Sequence, residues 1–243
     1  MEHALLLVPR NLAGAWHAGL KLSGRSQNVK KTLSKAAHVG VLAVLTCIGP
    51  GVIIPGKSVP SGTASKTLAN LQAAYDGENN AHARYLAFAE RADAEGYDQV
   101  ASLFRAAARA ENIHLTNHAA VIRQMGAAPH VVIEMATVKS TKENLEASAN
   151  KGEAYERDTM YPGFIKQAQA EDNGAAVQTF EFARTAEAQH IRLFTEALNN
   201  LDNMKSAGRT YYVCTVCGYT VEELPSGDCV SCSSPHEKYE GVN

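Results

Sequence analysis

Apolar residues recur at intervals of three and four along the chain from about residue 65 onward, which is the spacing of one face of an α-helix. The pattern predicts four helices, near residues 65–95, 98–125, 140–170 and 174–205. The stretch 127–139 fits a crossover that runs along a helical bundle. Ser140 and Glu143 predict a capping box at the start of the third helix, and Pro162 should kink that helix.

Ionisable residues interrupt the apolar faces of these helices. On the second helix, the face that contains Phe104 meets Glu111 and His114 before it continues at Val121. A carboxylate on such a face costs several kcal/mol unless it is paired or neutralised, and a metal ion does both. Each glutamate taken alone is equally well explained as a residue at the edge of its stripe that reaches solvent.

The helical region repeats itself, and the repeat favours a metal site over that alternative. The repeated positions are Glu78 and Glu153, 75 residues apart, Glu111 and Glu187, 76 apart, and His114 and His190, also 76 apart. The Glu-x-x-His spacing puts both side chains on one helical face. Four helices that carry Glu, Glu-x-x-His, Glu and Glu-x-x-His form the ligand set of a carboxylate-bridged dimetal centre in a four-helix bundle.

The third helix carries one more acid than a symmetric site needs, because Glu156 follows Glu153 by one turn. The candidate ligands are therefore five carboxylates and two imidazoles, which suit iron or manganese. A spare acid would let one metal exchange ligands when its charge changes. We expect His82 and His118 to lie beside the ligands or at the surface rather than to bind metal.

The C-terminal tail contains a second predicted metal site. Two Cys-x-x-Cys knuckles, Cys214/Cys217 and Cys229/Cys232, are separated by eleven residues. This spacing is typical of a tetrahedral four-cysteine site for iron or zinc, and the sequence does not separate the two metals. Two disulfides are the alternative. So short a tail cannot fold on its apolar core alone, which favours the metal.

Together these motifs resemble rubrerythrins, which have a ferritin-like diiron bundle followed by a rubredoxin-like domain. The resemblance covers roughly residues 65–243. It is carried by Asp76-Gly77-Glu78, Ala110–His114, Gly152–Glu156 followed by Met160-Tyr161-Pro162, Ala186–His190, and the four cysteines. It implies an all-α four-helix bundle over residues 65–207 and a small β metal domain over residues 208–243. The tail departs from the family where Val230 replaces a proline and where it lacks tryptophan.

The resemblance also implies roles for the site residues. The diiron ligands would be Glu78, Glu111, His114, Glu153, Glu156, Glu187 and His190. Glu111 and Glu187 would bridge the two irons, and one iron would move between His114 when reduced and Glu156 when oxidised. The tyrosines that orient the carboxylates would be Tyr85 and Tyr161.

The activity that the resemblance implies is an antioxidant peroxidase. Two non-haem irons would reduce hydrogen peroxide to water, and one iron in the four-cysteine site would pass electrons from a rubredoxin or an NAD(P)H-dependent reductase. Zinc in the four-cysteine site is the alternative, and it would leave the route of electron entry open. Family members pair head to tail, so we expect at least a homodimer. The alternatives are a ferritin-like ferroxidase, which explains neither Glu156 nor the cysteines, and a non-catalytic metal-binding module with a structural zinc ribbon.

Charge and the N-terminal segment limit the partners and the compartment. A net charge of −2 with 20% charged residues argues against a nucleic-acid partner. Residues 1–64 form an extension in which Lys30 and Lys31 precede the apolar run 39–48. Export or membrane anchoring through residues 30–64 and a passive extension are both open. A four-thiolate iron site suits a reducing compartment, so we expect the cytoplasm.

Overall fold

Four long helical segments form in the order that the apolar pattern predicts, followed by a small β-sheet. The computed structural model describes residues 65–243, so the predictions for residues 1–64 lie outside the described part of the chain. The helices are α1 (Lys66–Ala94), α2 (Asp98–Gln124), α3 (Thr141–Ala147), α4 (Glu153–Tyr155), α5 (Tyr161–Ala170) and α6 (Gly174–Asn199). Within residues 65–243, no helix combines the length and apolar character needed to cross a membrane.

Helices α3, α4 and α5 form one continuous helical segment, the third of the bundle. It opens with the predicted capping box, because the Glu143 N–H donates to Ser140 Oγ and the Ser140 N–H donates to Glu143 Oε2. Two π-helical stretches, Ser148–Gly152 and Glu156–Met160, separate the three helices. The second lies directly before the turn that contains Pro162, where the sequence predicts an interruption. The first was not predicted, and π-turns of this kind frequently mark functional sites.

The start of α1 is tied to the end of the third segment. Ser65 Oγ accepts a hydrogen bond from the Leu68 N–H at 3.1 Å. The carboxylate of Glu171 accepts from the Lys66 and Thr67 N–H groups at 3.0 and 3.2 Å. These contacts satisfy backbone donors that the first helical turn leaves without partners.

The interior of the bundle consists of two apolar clusters. One contains Tyr85, Phe104 and Phe194, and the other contains Tyr161 and Phe180. Along α1 and α2 the clusters are separated by buried ionisable residues: Glu78, Glu111, His114 and His118. A polar layer therefore crosses the middle of the bundle, at the level where the ionisable residues interrupt the predicted stripes.

The predicted crossover is an irregular segment held against α1. Gln72, Asp76 and Asn80, spaced one turn apart on α1, bond to the backbone of His130, Val132 and Glu134. The ladder of side chains replaces the backbone partners that a strand would provide.

The tail forms a three-stranded antiparallel sheet of order β2-β1-β3. Its strands are β1 (Tyr211–Cys214), β2 (Thr220–Val221) and β3 (Tyr239–Val242). Buried Tyr211 and Val213 belong to the same apolar cluster as Phe104 of the bundle, so the sheet packs on the helices of its own chain. The predicted fold class, an all-α four-helix bundle with a small C-terminal β domain, is confirmed.

Candidate metal centres

The polar layer brings six of the seven predicted bundle ligands together in two overlapping clusters. The first cluster contains Glu78, Glu111, His114 and Glu187, and the second contains Glu111, Glu153, Glu187 and His190. In each cluster the nearest ligand atoms lie within 4.8 Å of one another, and all six residues are buried. Glu111 and Glu187 belong to both clusters, which is the position of carboxylates that bridge two ions.

Both imidazoles turn the same nitrogen toward the carboxylates. His114 Nδ1 lies 2.9 Å from Glu111 Oε2 and 3.4 Å from Glu187 Oε1. His190 Nδ1 lies 3.1 Å from Glu187 Oε2 and 3.5 Å from Glu153 Oε2. Nδ1 is thus the nitrogen available to a metal in both rings, and Nε2 is left for other partners.

Each repeat supplies a tyrosine to the other repeat's carboxylate. The hydroxyl of Tyr85 donates to Glu153, and the hydroxyl of Tyr161 donates to Glu78. Burial and the adjacent carboxylate raise the pKa of both tyrosines well above the usual value. They therefore remain protonated donors, and each fixes the orientation of a carboxylate that belongs to one cluster only.

The two carboxylates that belong to both clusters are held where their negative charge is disfavoured. Burial, together with neighbouring carboxylates, raises the pKa of Glu111 and Glu187 well above the usual value. Burial also acts to raise the pKa of Glu78, but the charge and hydrogen bond of His114 hold it well below the usual value. The same carboxylates raise the pKa of His114 against the effect of burial. The layer thus contains four buried carboxyl groups and only two imidazoles.

Two orphaned oxygen atoms show that the residues fit a pair of cations. Glu153 Oε2 and Glu187 Oε1 are buried and have no hydrogen-bond partner. A buried carboxylate oxygen without a partner is costly, and a directly bound cation removes the cost. Both atoms face the cluster, since each lies within 3.5 Å of a histidine Nδ1. Oxygen and imidazole donors in this number suit iron or manganese.

Glu156 stands apart from the other six predicted ligands. It is only half-buried and belongs to neither cluster. Burial, followed by the charges of Glu153 and Glu78, raises its pKa to about 8. Glu156 therefore lies close enough for the charges of the clustered carboxylates to raise its pKa, but it is not a member of either cluster.

The four tail cysteines form a third cluster with the geometry of a metal site. The Sγ atoms of Cys214 and Cys232 lie 3.7 Å apart, and those of Cys217 and Cys229 lie 3.6 Å apart. A tetrahedral ion with metal–sulfur bonds of about 2.3 Å separates its sulfurs by about 3.8 Å. Disulfide sulfurs would lie about 2.05 Å apart, so the observed sulfur–sulfur distances do not correspond to disulfide bonds.

The first knuckle of the tail rests directly on the polar layer. His114 Nε2 lies 3.1 Å from the carbonyl oxygen of Cys217, and His190 Nε2 lies 3.4 Å from the hydroxyl of Thr220. Gly218 lies between these contacts with φ of +79°, and an added Cβ would come within 2.3 Å of His114 Nε2. The tail thus supplies the outer partner of both imidazoles, which fixes their ring orientation.

A family model and several relatives match this chain. The rubrerythrin family model covers residues 69–198. Nigerythrin of Nitratidesulfovibrio vulgaris is 37% identical over 174 residues, which cover 71% of this chain and 85% of nigerythrin. Rubrerythrin-2 of Clostridium acetobutylicum is 33% identical over 174 residues, covering 70% of this chain and 93% of that protein. The chain belongs to the rubrerythrin family.

Solved structures agree with the family and the fold. Nigerythrin in its fully reduced, all-ferrous state aligns with a TM-score of 0.67 at 36% identity, covering 76% of this chain and 90% of nigerythrin. A bacterioferritin of Desulfovibrio desulfuricans aligns with a TM-score of 0.53 at 21% identity, over 58% of this chain and 82% of that one. The second likeness shows the ferritin-like fold alone. The family is one of redox enzymes, which supports an oxidoreductase with a dimetal-type site and a four-cysteine site.

Polar side chains of the bundle bond to the backbone of the tail. In this rubrerythrin-family chain the tail contacts the bundle of the same chain, through Asn117 to the Val216 carbonyl and Gln189 to the Thr220 carbonyl, both at 2.9 Å. The predicted homodimer stays a prediction.

Sequence reasoning missed the partners that lie outside the ligand motifs. Thr220 and the Cys217 carbonyl carry no pattern that points to the distant histidines. His118, predicted to lie beside the ligands or at the surface, is fully buried. His82 is half-buried, and its Nδ1 lies 2.6 Å from the Ala108 carbonyl oxygen.

Gly218→Ala should separate the tail from the polar layer. The new Cβ would overlap the His114 ring, and a non-glycine residue at this φ costs roughly 1–2 kcal/mol. We expect faster protease cleavage near residues 204–210 while the four cysteines still bind metal. Gly227→Ala is the matched control, because its Cβ would meet nothing within 4 Å. Equal cleavage rates in both variants would contradict the docked arrangement.

Proposed function

We propose that this protein is a rubrerythrin-like peroxidase that reduces hydrogen peroxide to water with electrons that enter through the four-cysteine site. The observation that carries the proposal is the 3.1 Å contact between His114 Nε2 and the Cys217 carbonyl. It joins a ligand of the proposed dimetal centre to a ligand of the proposed four-cysteine centre. A protein that only stores iron has no need of a second redox site in contact with the first.

The proposed ligands of the dimetal centre are the six clustered residues together with Glu156. Two irons held there would supply the two electrons of the reaction H₂O₂ + 2 e⁻ + 2 H⁺ → 2 H₂O, and an iron held by the cysteines would replace those electrons one at a time. Glu111 and Glu187 would bridge, as their membership of both clusters supports.

The chain's own groups would orient the site and handle protons. Tyr85 and Tyr161 hold Glu153 and Glu78 in place through their hydroxyls. The carboxyl of Glu156, whose pKa is about 8, can hold a proton at neutral pH and release it to a peroxide oxygen. The same carboxylate, once deprotonated, is the spare ligand that would replace His114.

The two knuckles of the tail differ in their exposure in a way that supports electron entry from outside. Cys214 and Cys217 are buried, and Cys217 faces the bundle. On the second knuckle, Val230 is 79% exposed and Cys232 is partly exposed. An electron-donating rubredoxin or an NAD(P)H-dependent reductase would approach the second knuckle, and the first would deliver the electron.

Glu156→Ala should slow the oxidation of the reduced protein by peroxide without emptying the bundle. Six clustered ligands remain, so two metals should still bind. Loss of the spare carboxylate should reduce the single-turnover rate on the order of 10–100-fold, measured by anaerobic stopped-flow. Glu146→Ala, an exposed change on the same helical segment, is the control. An unchanged rate at full metal loading would refute a role for Glu156 as an exchanging ligand.

Cys217→Ser should uncouple electron delivery from the peroxide reaction. It removes a thiolate of the four-cysteine site, so the visible thiolate-to-iron absorption should disappear while the bundle keeps its ligands. Chemically reduced protein should still consume one equivalent of peroxide, because those electrons are already in place. Steady-state turnover with a reductase should fall to background.

The outcome that counts against this electron route is sustained reductase-driven turnover in the Cys217→Ser variant. A ferroxidase is distinguished in the same assays. It would oxidise added Fe(II) with oxygen faster than the reduced protein reacts with peroxide.

A further inference from the structure

The residues that border the two buried tyrosines differ in polarity between the two repeats. Two aromatic pairs recur unchanged at an offset of 76 residues: Tyr85 with Tyr161 and Phe104 with Phe180. At the same offset, two other pairs combine a polar residue with an apolar one. Polar His118 corresponds to Phe194, and polar Thr179 corresponds to Leu103. All of these side chains are buried. The repeat therefore provides its own comparison between a polar and an apolar version of one environment.

His118 connects Thr179 to the Tyr161–Glu78 pair. His118 Nε2 lies 3.3 Å from the Tyr161 hydroxyl oxygen and 3.7 Å from Glu78 Oε1. On the other side of the ring, Nδ1 lies 3.0 Å from Thr179 Oγ1. The Phe180 ring packs on His118 with centroids 5.5 Å apart, which encloses the imidazole in the apolar core.

The donor and acceptor of each hydrogen bond between Thr179 and Glu78 can be assigned by starting at the Glu78 carboxylate. Tyr161 uses its hydrogen on Glu78, so its oxygen can only accept from His118 Nε2–H. His118 Nδ1 then accepts from the Thr179 hydroxyl, which assigns the neutral Nε2–H tautomer. The Thr179, His118 and Tyr161 donors therefore all point in the direction of the Glu78 carboxylate.

The other repeat has no histidine and threonine beside its tyrosine; the Arg84 guanidinium lies over the Tyr85 ring instead, 5.5 Å from its centroid. Phe194 packs against Tyr85 with ring centroids 5.6 Å apart, and neither Phe194 nor Leu103 has a side-chain polar atom. Tyr85 still donates to Glu153, but nothing at the 194 position donates to Tyr85. The two metal positions that the repeats build are thus supported differently.

We infer that His118, oriented by Thr179, is a positioning residue for the metal position that contains Glu78. It fixes the Tyr161 hydroxyl and, through it, the carboxylate of Glu78, and it thereby makes the two metal positions of the bundle inequivalent. This inference rests on the proposed function in one respect, that the bundle holds two metal ions.

The test uses the double variant His118→Phe/Thr179→Leu, which gives one repeat the residues that already pack in the other. The full-length chain, stripped of metal, is titrated anaerobically with Co²⁺. Thiolate-to-cobalt bands report the four-cysteine site, and the weaker d–d bands report the bundle. We expect one of the two bundle equivalents to bind on the order of 10–100-fold more weakly, with the other unchanged.

Two further variants separate positioning from packing. His118→Gln keeps an N–H donor for Tyr161 and should restore most of the lost affinity. Thr179→Val removes only the hydroxyl at nearly constant volume, and it should weaken the same equivalent to a smaller extent. Should the double variant fail to fold, these two carry the test, since both preserve the volume of the core.

The outcomes are distinguishable from failure of the proposed function. Wild-type affinities for both bundle equivalents in the double variant and in Thr179→Val, or equal weakening of both, overturn the role of His118. A wild-type chain that binds cobalt only at its cysteines overturns the dimetal proposal as well. A thermal melt of each metal-free variant identifies a general loss of stability, which would lower the melting temperature without favouring one equivalent.

Discussion

The mutual repulsion of four buried carboxylates is the constraint on which the rest of the structure depends. Glu78, Glu111, Glu153 and Glu187 are at most 2% exposed and converge from four helical segments with only two imidazoles among them. Such a layer is costly in an apolar core unless cations bind it. Two of its oxygens have no partner, which fits sites for ions. The hydroxyls of Tyr85 and Tyr161 hold two of these carboxylates, and along α1 and α2 the layer separates the two apolar clusters of the core.

The tail adds a second constraint, because it covers the Nε2 edges of the two imidazoles in the layer. The carbonyl of Cys217 and the hydroxyl of Thr220 reach Nε2 of His114 and His190. One short loop thereby carries a thiolate of one site and orients ligands of the other. Gly218 makes the approach close enough, since its lack of a Cβ leaves room for the His114 ring. Packing within a single chain thus brings the two sites into contact.

The residues that cluster in the bundle and in the tail were predictable because their signals are local. The Glu-x-x-His spacing puts both side chains on one helical face, and the Cys-x-x-Cys spacing forms a knuckle wherever it occurs. The contact from His114 to Cys217 spans 103 residues and uses a backbone carbonyl, which no residue type reveals. The π-helical stretch Ser148–Gly152 was also missed, because it depends on how the helix packs. The sequence repeat shows that His118 stands where the other repeat has Phe194. The role of His118 becomes clear only in the structure, which places it beside Tyr161.

The central claim is that one chain holds a dimetal centre and a thiolate metal centre in contact. The most direct measurement is iron and zinc analysis of the full-length protein purified without oxygen, combined with Mössbauer spectroscopy. We expect about three irons per chain, with two in oxygen and nitrogen coordination and one in tetrahedral sulfur coordination. A bundle that contains no metal, or zinc at every site, would contradict the proposed pair of centres.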